Sequence, residues 1–351
     1  AAYTADQLDE FFDFKGVRIG GRASAHFHIL EAGFLADSGS DVIDILGAIL
    51  SSPSFDKQRL ETIRQRNIAS YLTSRRQPLT LAGEELTRRI YGADHLLARR
   101  VDQDSFRSVD TQQLASAYAR VMNPANIHVF ISGLFSDALL ETARRVFGAL
   151  GALSAGETFR IQPYRTENTP QHITVEASES LQSAVAIGIP AVRRDNPHYV
   201  PLRIAVMALG GYFGSRLMSN IREDKGLTYN ISASLLGDYE GAYTFIGALC
   251  DKSYTDRVVN EIQNELKSLA TDPPEGDELE RLRLNAMTDL AEILDNPTNI
   301  MGYYSSGILV GSSGNYFELQ QAAIQNLTSE AIAEMAKRYL LPSQTITVTT
   351  L

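Results

Sequence analysis

Two hydrophobic periods alternate along the chain, and the changeovers mark its elements. Residues 4–15 (TADQLDEFFDFK) carry apolar positions at helical spacing, with Thr4 as candidate N-cap and Gly16 as the stop. Residues 17–36 alternate apolar and polar positions and predict strands. The helical period returns over Ser40–Leu50 and breaks at Ser51-Ser52-Pro53. A longer helix begins near Asp56 and stops before Pro78. Helices over 80–91 and 111–122, a strand at Ile127–Ser132 (IHVFIS) and a helix over Asp137–Phe147 complete the first half. The span 151–171 is rich in Gly, Ser, Thr and Pro and reads as a linker. This divides the chain into a first domain over 1–155, a linker over 156–171 and a second domain over 172–351.

The second half opens with strands over 173–177 and 183–189 and a helix over 198–209. In the next stretch, GGYFGSRLMSNIREDKGLTYNISAS (210–234), Phe213, Leu217 and Ile221 follow the helical period. Gly226 predicts the end of that helix, because glycine takes the left-handed C′ conformation without steric cost. Leu227, Tyr229 and Ile231 then alternate with polar residues, as on a half-buried strand. A strand over 242–249, a helix from about Tyr254 to Leu269, a long helix ending before Pro297 and a closing helix and strand follow.

The second half replays the first. VDTQQLASAYARVMNPANIHVFIS matches LTSEAIAEMAKRYLLPSQTITVTT, and the pairs Leu60/Leu279, Thr111/Thr328 and Pro124/Pro342 are separated by 219, 217 and 218 positions. A near-constant interval in a matching strand–helix context indicates a duplicated α+β domain, each copy a mostly antiparallel sheet with helices packed on one face. Stepping back one interval from Thr174–Ser232 reaches or passes position 1. The first copy is therefore expected to lack its opening ~50 residues.

Composition narrows the function. The 351 residues carry a net charge of −10 and the pI is about 5.2, which disfavours nucleic acid or an anionic membrane as partner. No apolar run approaches the ~18 residues of a membrane span. The single cysteine, Cys250, lies in the apolar run Phe245–Cys250 and reads as a buried small hydrophobe.

Chemistry concentrates at 210–234. Arg222 falls in the last helical turn and Tyr229 just inside the strand. An arginine and a tyrosine on either side of a corner make a donor pair suited to a carbonyl oxygen that gains negative charge. The plainer alternative is that Arg222 caps its own helix and Tyr229 is core with a wet hydroxyl. Gly210, Gly211 and Gly214 predict a flexible glycine-rich loop. They follow a helix and lack the lysine of a phosphate-binding loop, so nucleotide binding is not expected. His26, His28 and Glu31 (HFHILE) invite a metal reading, but on a strand the two histidines share a face and Glu31 takes the other. His95 reads as a surface-loop residue, and the charged set over 277–292 as a solvated helix face.

Two α+β halves, the GGYFGSRLMSNIREDKGLTY stretch and the SPSFDKQRLE turn into a long helix together resemble the pitrilysin/insulinase superfamily of zinc peptidases, the inverzincins. The subunits of mitochondrial processing peptidase belong to that superfamily, and the likeness is strongest to its short bacterial members that work as dimers. The spacing Arg222–(six residues)–Tyr229 matches the family's arginine/tyrosine pair. Active members carry HxxEH on a helix of the first domain, two histidines one turn apart holding zinc and the glutamate activating its water, with a third glutamate ligand further on. This sequence has no HxxEH. The resemblance puts the third-ligand position at Ser70 and an accompanying glutamate position at Ile63, and neither can complete a two-histidine, one-carboxylate site.

The resemblance therefore implies a non-catalytic subunit that binds no zinc itself. It pairs, as a hetero- or homodimer, with a zinc-bearing peptidase subunit of the same family, acts on peptides, and lends Arg222 and Tyr229 to the substrate carbonyl. A structural scaffold subunit, a fragment of a larger single-chain peptidase and a chain that cleaves peptides alone are the alternatives.

Overall fold

The computed structural model describes residues 3–123, 126–150, 169–177, 179–237, 241–312 and 314–351. In chain order its elements are α1 (Ala5–Lys15), β1 (Arg18–Ala23), β2 (His28–Gly33), α2 (Gly39–Ser51), α3 (Lys57–Ser74), α4 (Pro78–Tyr91), α5 (Gln103–Ser108), α6 (Thr111–Val121) and α7 (Asp137–Ala149). Then come β3 (Gln171–Val175), β4 (Gln182–Ala191), α8 (Tyr199–Gly210), a π-helical segment (Met218–Asp224), β5 (Thr228–Gly237) and β6 (Ala242–Asp251). The chain closes with α9 (Thr255–Thr271), α10 (Gly276–Glu292), α11 (Pro297–Leu309), α12 (Tyr316–Gln325), α13 (Ser329–Tyr339) and β7 (Ile346–Thr350). The repeat survives as helix starts: Lys57 and Gly276 lie 219 positions apart, Thr111 and Ser329 lie 218 apart.

The chain falls into two compact units, Ala1–Ala69 with Val101–Arg160, and Ser70–Arg100 with Ile161–Leu351. Their boundary therefore differs from a single cut near 155, because Ser70–Arg100 belongs with the second unit. The reason is α4, whose Ala82, Leu86 and Ile90 are buried against Ala184, Ala186, Ile346 and Val348 of the second unit's sheet. The linker expected over 156–171 lies, through 168, outside the described residues.

In the first unit, local chemistry sets the ends of α1. Thr4 accepts from the Gln7 N–H, and the Gln7 side chain returns a bond to the Thr4 N–H, a capping box. Gly16 stops the helix at φ 63°. Strands β1 and β2 form an antiparallel hairpin. Helices α2 and α7 pack so closely that a Cβ on Gly47 would lie 2.2 Å from Val146 Cγ1. Helix α3 buries none of its side chains, and Arg64 ties it down by donating to the carbonyls of Phe106 and Val109 at 3.1 and 2.6 Å. Ile127–Ser132, expected as a strand, pairs with no strand among the described residues. Alternation prepares two faces but cannot make a ladder without a neighbour.

The second unit is built on a five-stranded sheet, order β3-β7-β4-β6-β5, antiparallel except for the parallel pair β3–β7. The two-residue period of β4 sorts its side chains. Val185, Ile187 and Ile189 join the large core under α8, α9, α10 and α13, while Ala184 and Ala186 face α4. This α+β sheet thus carries most of the second unit's described helices on one face, with α4 on the other. Gly188 makes room for α4, since a Cβ there would stand 2.7 Å from Ile90 Cδ1. Strands β3 and β5 are the edges.

Candidate functional site

The candidate site lies where α8, the π-helical segment and edge strand β5 meet. Helix α8 ends at Gly210, which belongs to its last turn and not to a loop. A Cβ on Gly210 would stand 2.7 Å from the backbone N of Ala233 in β5, and one on Gly211 2.6 Å from Met207 Cα. Both glycines therefore let backbones approach closely. Gly210→Ala is expected to cost about 1–3 kcal/mol, since the clashing atom is main chain, and thermal denaturation of the purified chain checks it.

The helix expected from Phe213 onward starts later and is wider. Leu217 and Ile221 are fully buried as the spacing predicts, but Phe213 sits in the preceding turn, 62 % exposed. The segment Met218–Asp224 is π-helical, a form rare elsewhere and frequent at functional sites. It is fixed to α9 by two side chains: Asn220 Nδ2 donates to Glu265 Oε1 at 2.6 Å, and Lys225 Nζ pairs with Glu261 Oε2 at 2.6 Å. Burial pushes the Glu265 carboxyl above its ordinary range, a rise the Asn220 bond only partly offsets. The Glu261 carboxyl is held low by its hydrogen bond from Lys225.

The sign of the Glu265 effect follows by linkage. A raised folded-state pKa adds stability below the unfolded value, near 4.5, and that stability is lost as pH rises through the folded value. Glu265→Gln, which keeps an acceptor for Asn220, is expected to raise the melting temperature at neutral pH. The gain should vanish below about pH 4.5, and a melting-temperature series against pH measures it.

Gly226 (φ 61°) closes the segment, and the Leu227 N–H donates to the Ile221 carbonyl at 2.9 Å. Arg222 and Tyr229 are carried on the two arms of that corner. Tyr229 is not on the buried face of the strand, as simple alternation expects. Thr228 pairs with Cys250 and Asn230 with Leu249, so Tyr229 is the extra residue of a β-bulge. The Thr228 hydroxyl accepts from the Asn230 N–H at 3.2 Å and contacts the Leu249 carbonyl, which holds the bulge. The bulge resets the alternation: Leu227 and Ile231 are buried, and Tyr229 is 90 % exposed.

The arginines of this corner divide sharply. Arg216 is spent on structure: Nε and one terminal nitrogen bind Glu278 at 2.8 and 3.0 Å, and the other reaches Ser268 Oγ and the Asp272 carbonyl. Arg222, six residues on and half-buried, has no ion pair or hydrogen bond among the described residues. Its guanidinium lies over the Phe213 ring, Cζ 4.9 Å from the centroid. The corner thus offers two sets of donors, a guanidinium and a phenol, with no partner within the described chain. Sequence reasoning reads Phe213 only as a helix-face position and gives Thr228 no part in the site. An aromatic residue between Gly211 and Gly214 was the available signal for the first; a bulge leaves none.

Elsewhere the candidates disperse. Ser70 and Ile63 are exposed on α3. Neither brings a zinc ligand, so the donor set here does not fit the metal of an inverzincin site. Among the described residues no three His, Cys, Asp or Glu side chains gather where they could hold a metal ion. His26 precedes β2 instead of sharing a strand face with His28, because residues 24–27 form the hairpin turn, and Glu31 pairs with Arg22 at 2.7 Å. His95 stacks on Tyr91 at 5.1 Å and accepts from the Leu97 N–H. Cys250 is buried, which pushes its thiol up and leaves it unreactive. No helix among the described residues is long and apolar enough to cross a membrane.

The profile described as Peptidase M16 inactive domain matches residues 108–285, about half of the sequence, and the chain belongs to that family. A protein of Helicobacter pylori named as the non-peptidase homolog YmxG is 26% identical over 200 residues, 56% of this chain and 46% of its own length. An uncharacterized zinc protease YmxG of Bacillus subtilis is 22% identical over 281 residues, 79% of this chain and 67% of its own. The match thus spans about half the length of the first relative. The crystal structure of a peptidase M16 inactive domain from Pseudomonas fluorescens superposes with a TM-score of 0.86 at 19% identity, covering 99% of this chain and 84% of that one.

Proposed function

We propose that the chain is the non-catalytic half of a two-subunit metallopeptidase. Its M16 membership, its inactive-domain match and the missing glutamate at position 70 support a chain that leaves metal chemistry to a partner of the same family. The observation that carries the reading is the contrast between two nearby arginines: Arg216 is fully bonded, and Arg222 meets only a ring face among the described residues.

An unspent guanidinium and an exposed phenol, set on a packed helix end and a bulged edge strand, can donate hydrogen bonds to the carbonyl oxygen of a bound peptide. Donors aimed at an oxygen where negative charge develops lower the barrier to its attack, because they need no reorganisation at that moment. Peptides and unfolded segments are the substrate class. The zinc-bearing subunit is mixed with this chain and hydrolysis of an unstructured peptide is followed. Activity that needs both chains, and that falls when Arg222 and Tyr229 are replaced, supports the reading. Full activity of the partner alone, or of the mixture with both residues replaced, overturns it.

A further inference from the structure

The Phe213 ring is an exposed aromatic beside an arginine that has no hydrogen bond or ion pair among the described residues, and chance surface exposure does not account for its placement. Three observations fix it. The glycines on either side of the turn sit where a side chain would crowd its surroundings: a Cβ on Gly211 would stand 2.6 Å from Met207 Cα, and one on Gly214 3.0 Å from the Tyr212 ring. The next residue, Ser215, is buried, and its carbonyl accepts from the Ser219 N–H at 2.9 Å, which ties the turn to the start of the π-helical segment. Phe213 itself remains 62 % exposed, and its ring lies under the Arg222 guanidinium with Cζ 4.9 Å away.

An arginine with no carboxylate beside it keeps the rotamer freedom of a long chain, and ordering it on substrate binding costs that freedom. A ring face removes much of the freedom without occupying the donors, because the attraction acts through the π quadrupole and leaves the N–H groups in the guanidinium plane free. A carboxylate in the same place would hold the arginine more tightly but would consume those donors.

We propose that Phe213 is a positioning residue for Arg222: its ring face holds the guanidinium ready while keeping its hydrogen bonds available for the peptide carbonyl. The inference rests on the role given to Arg222 above. It also accounts for an apolar side chain standing in solvent on a turn that leads into the buried Ser215 and Leu217. Phe213 touches no reacting atom in this scheme and acts through Arg222.

Phe213→Leu removes the ring at modest change in volume, and Phe213→Tyr restores it. The first measurement is the Arg222 Nε–Hε resonance of the isolated chain. The wild type and F213Y should show a ring-current shift and restricted motion, and F213L should show neither. The second is peptide hydrolysis by the assembled two-subunit enzyme. F213L should lower kcat/KM about three- to fivefold when Arg222 is present. It should have no further effect in R222A. Thermal unfolding should be the same for the wild type, F213L and F213Y, since the side chain is largely exposed. An Arg222 resonance unmoved by F213L, or an equal loss of activity in the R222A background, overturns the proposal. If R222A leaves hydrolysis unchanged, the functional reading falls, while the resonance still decides whether Phe213 holds Arg222.

Discussion

Under the proposed pairing with a zinc-bearing subunit, replacing Arg222 by alanine is expected to lower kcat for peptide hydrolysis by about 10²–10³. Tyr229→Phe, which removes a single hydroxyl, should cost a similar or smaller factor. The loss should fall on kcat more than on KM, because the donors strengthen their bonds as charge builds on the carbonyl oxygen. Neither change should affect folding. Tyr229 lies outside the ladder on its bulge, and Arg222 makes no hydrogen bond or ion pair among the described residues that the fold could lose. In the proposed role both side chains serve one oxygen, so their combined effect should be less than the product of the single effects. Steady-state kinetics on an unstructured peptide, with circular dichroism as the control for folding, decides each point.

The second large effect belongs to the other arginine. Arg216→Ala is expected to destabilise the second unit by about 3 kcal/mol, because it strands Glu278 beside an empty site. The Arg216 side chain is only 12% exposed, and it also holds Ser268 and the Asp272 carbonyl at the end of α9. Glu278→Ala should cost less, since its side chain is 30% exposed and the guanidinium keeps its bond to the Asp272 carbonyl. Replacing both by apolar residues of similar size should recover part of the loss, as expected when neither charge is left alone. Chemical denaturation of the four proteins supplies the comparison. Residues six positions apart in one short segment thus predict opposite phenotypes, one in stability and one in catalysis.

Local signals were legible in the sequence wherever a single residue decides them. Thr4 with Gln7 and the two glycines at positions 16 and 226 act within one helical turn, and each does what its chemistry dictates. The interval near 218 was legible for the same reason, since it compares helices with helices. What stayed hidden depends on a neighbour distant in sequence. Ile127–Ser132 alternates like a strand but has no ladder among the described residues, and α4 joins the later unit because its apolar face matches β4 and β7, strands distant in sequence. The corner shows both cases. Arg222 and Tyr229 were visible by type and spacing, yet the bulge that turns Tyr229 outward is set by the register of β5 on β6, which no pattern within β5 encodes. The π-helical widening that leaves Phe213 outside the segment is likewise a tertiary outcome.

The order β3-β7-β4 has a bearing on how this protein is made. Strand β7, the last element described, occupies an interior place between two strands that leave the ribosome more than a hundred and fifty residues before it. Until Ile346–Thr350 emerges, β3 has no neighbour in the sheet and β4 lacks one of its two. Half-built edges of that kind are templates for aggregation during translation, so the growing chain has reason to depend on chaperones until β7 arrives.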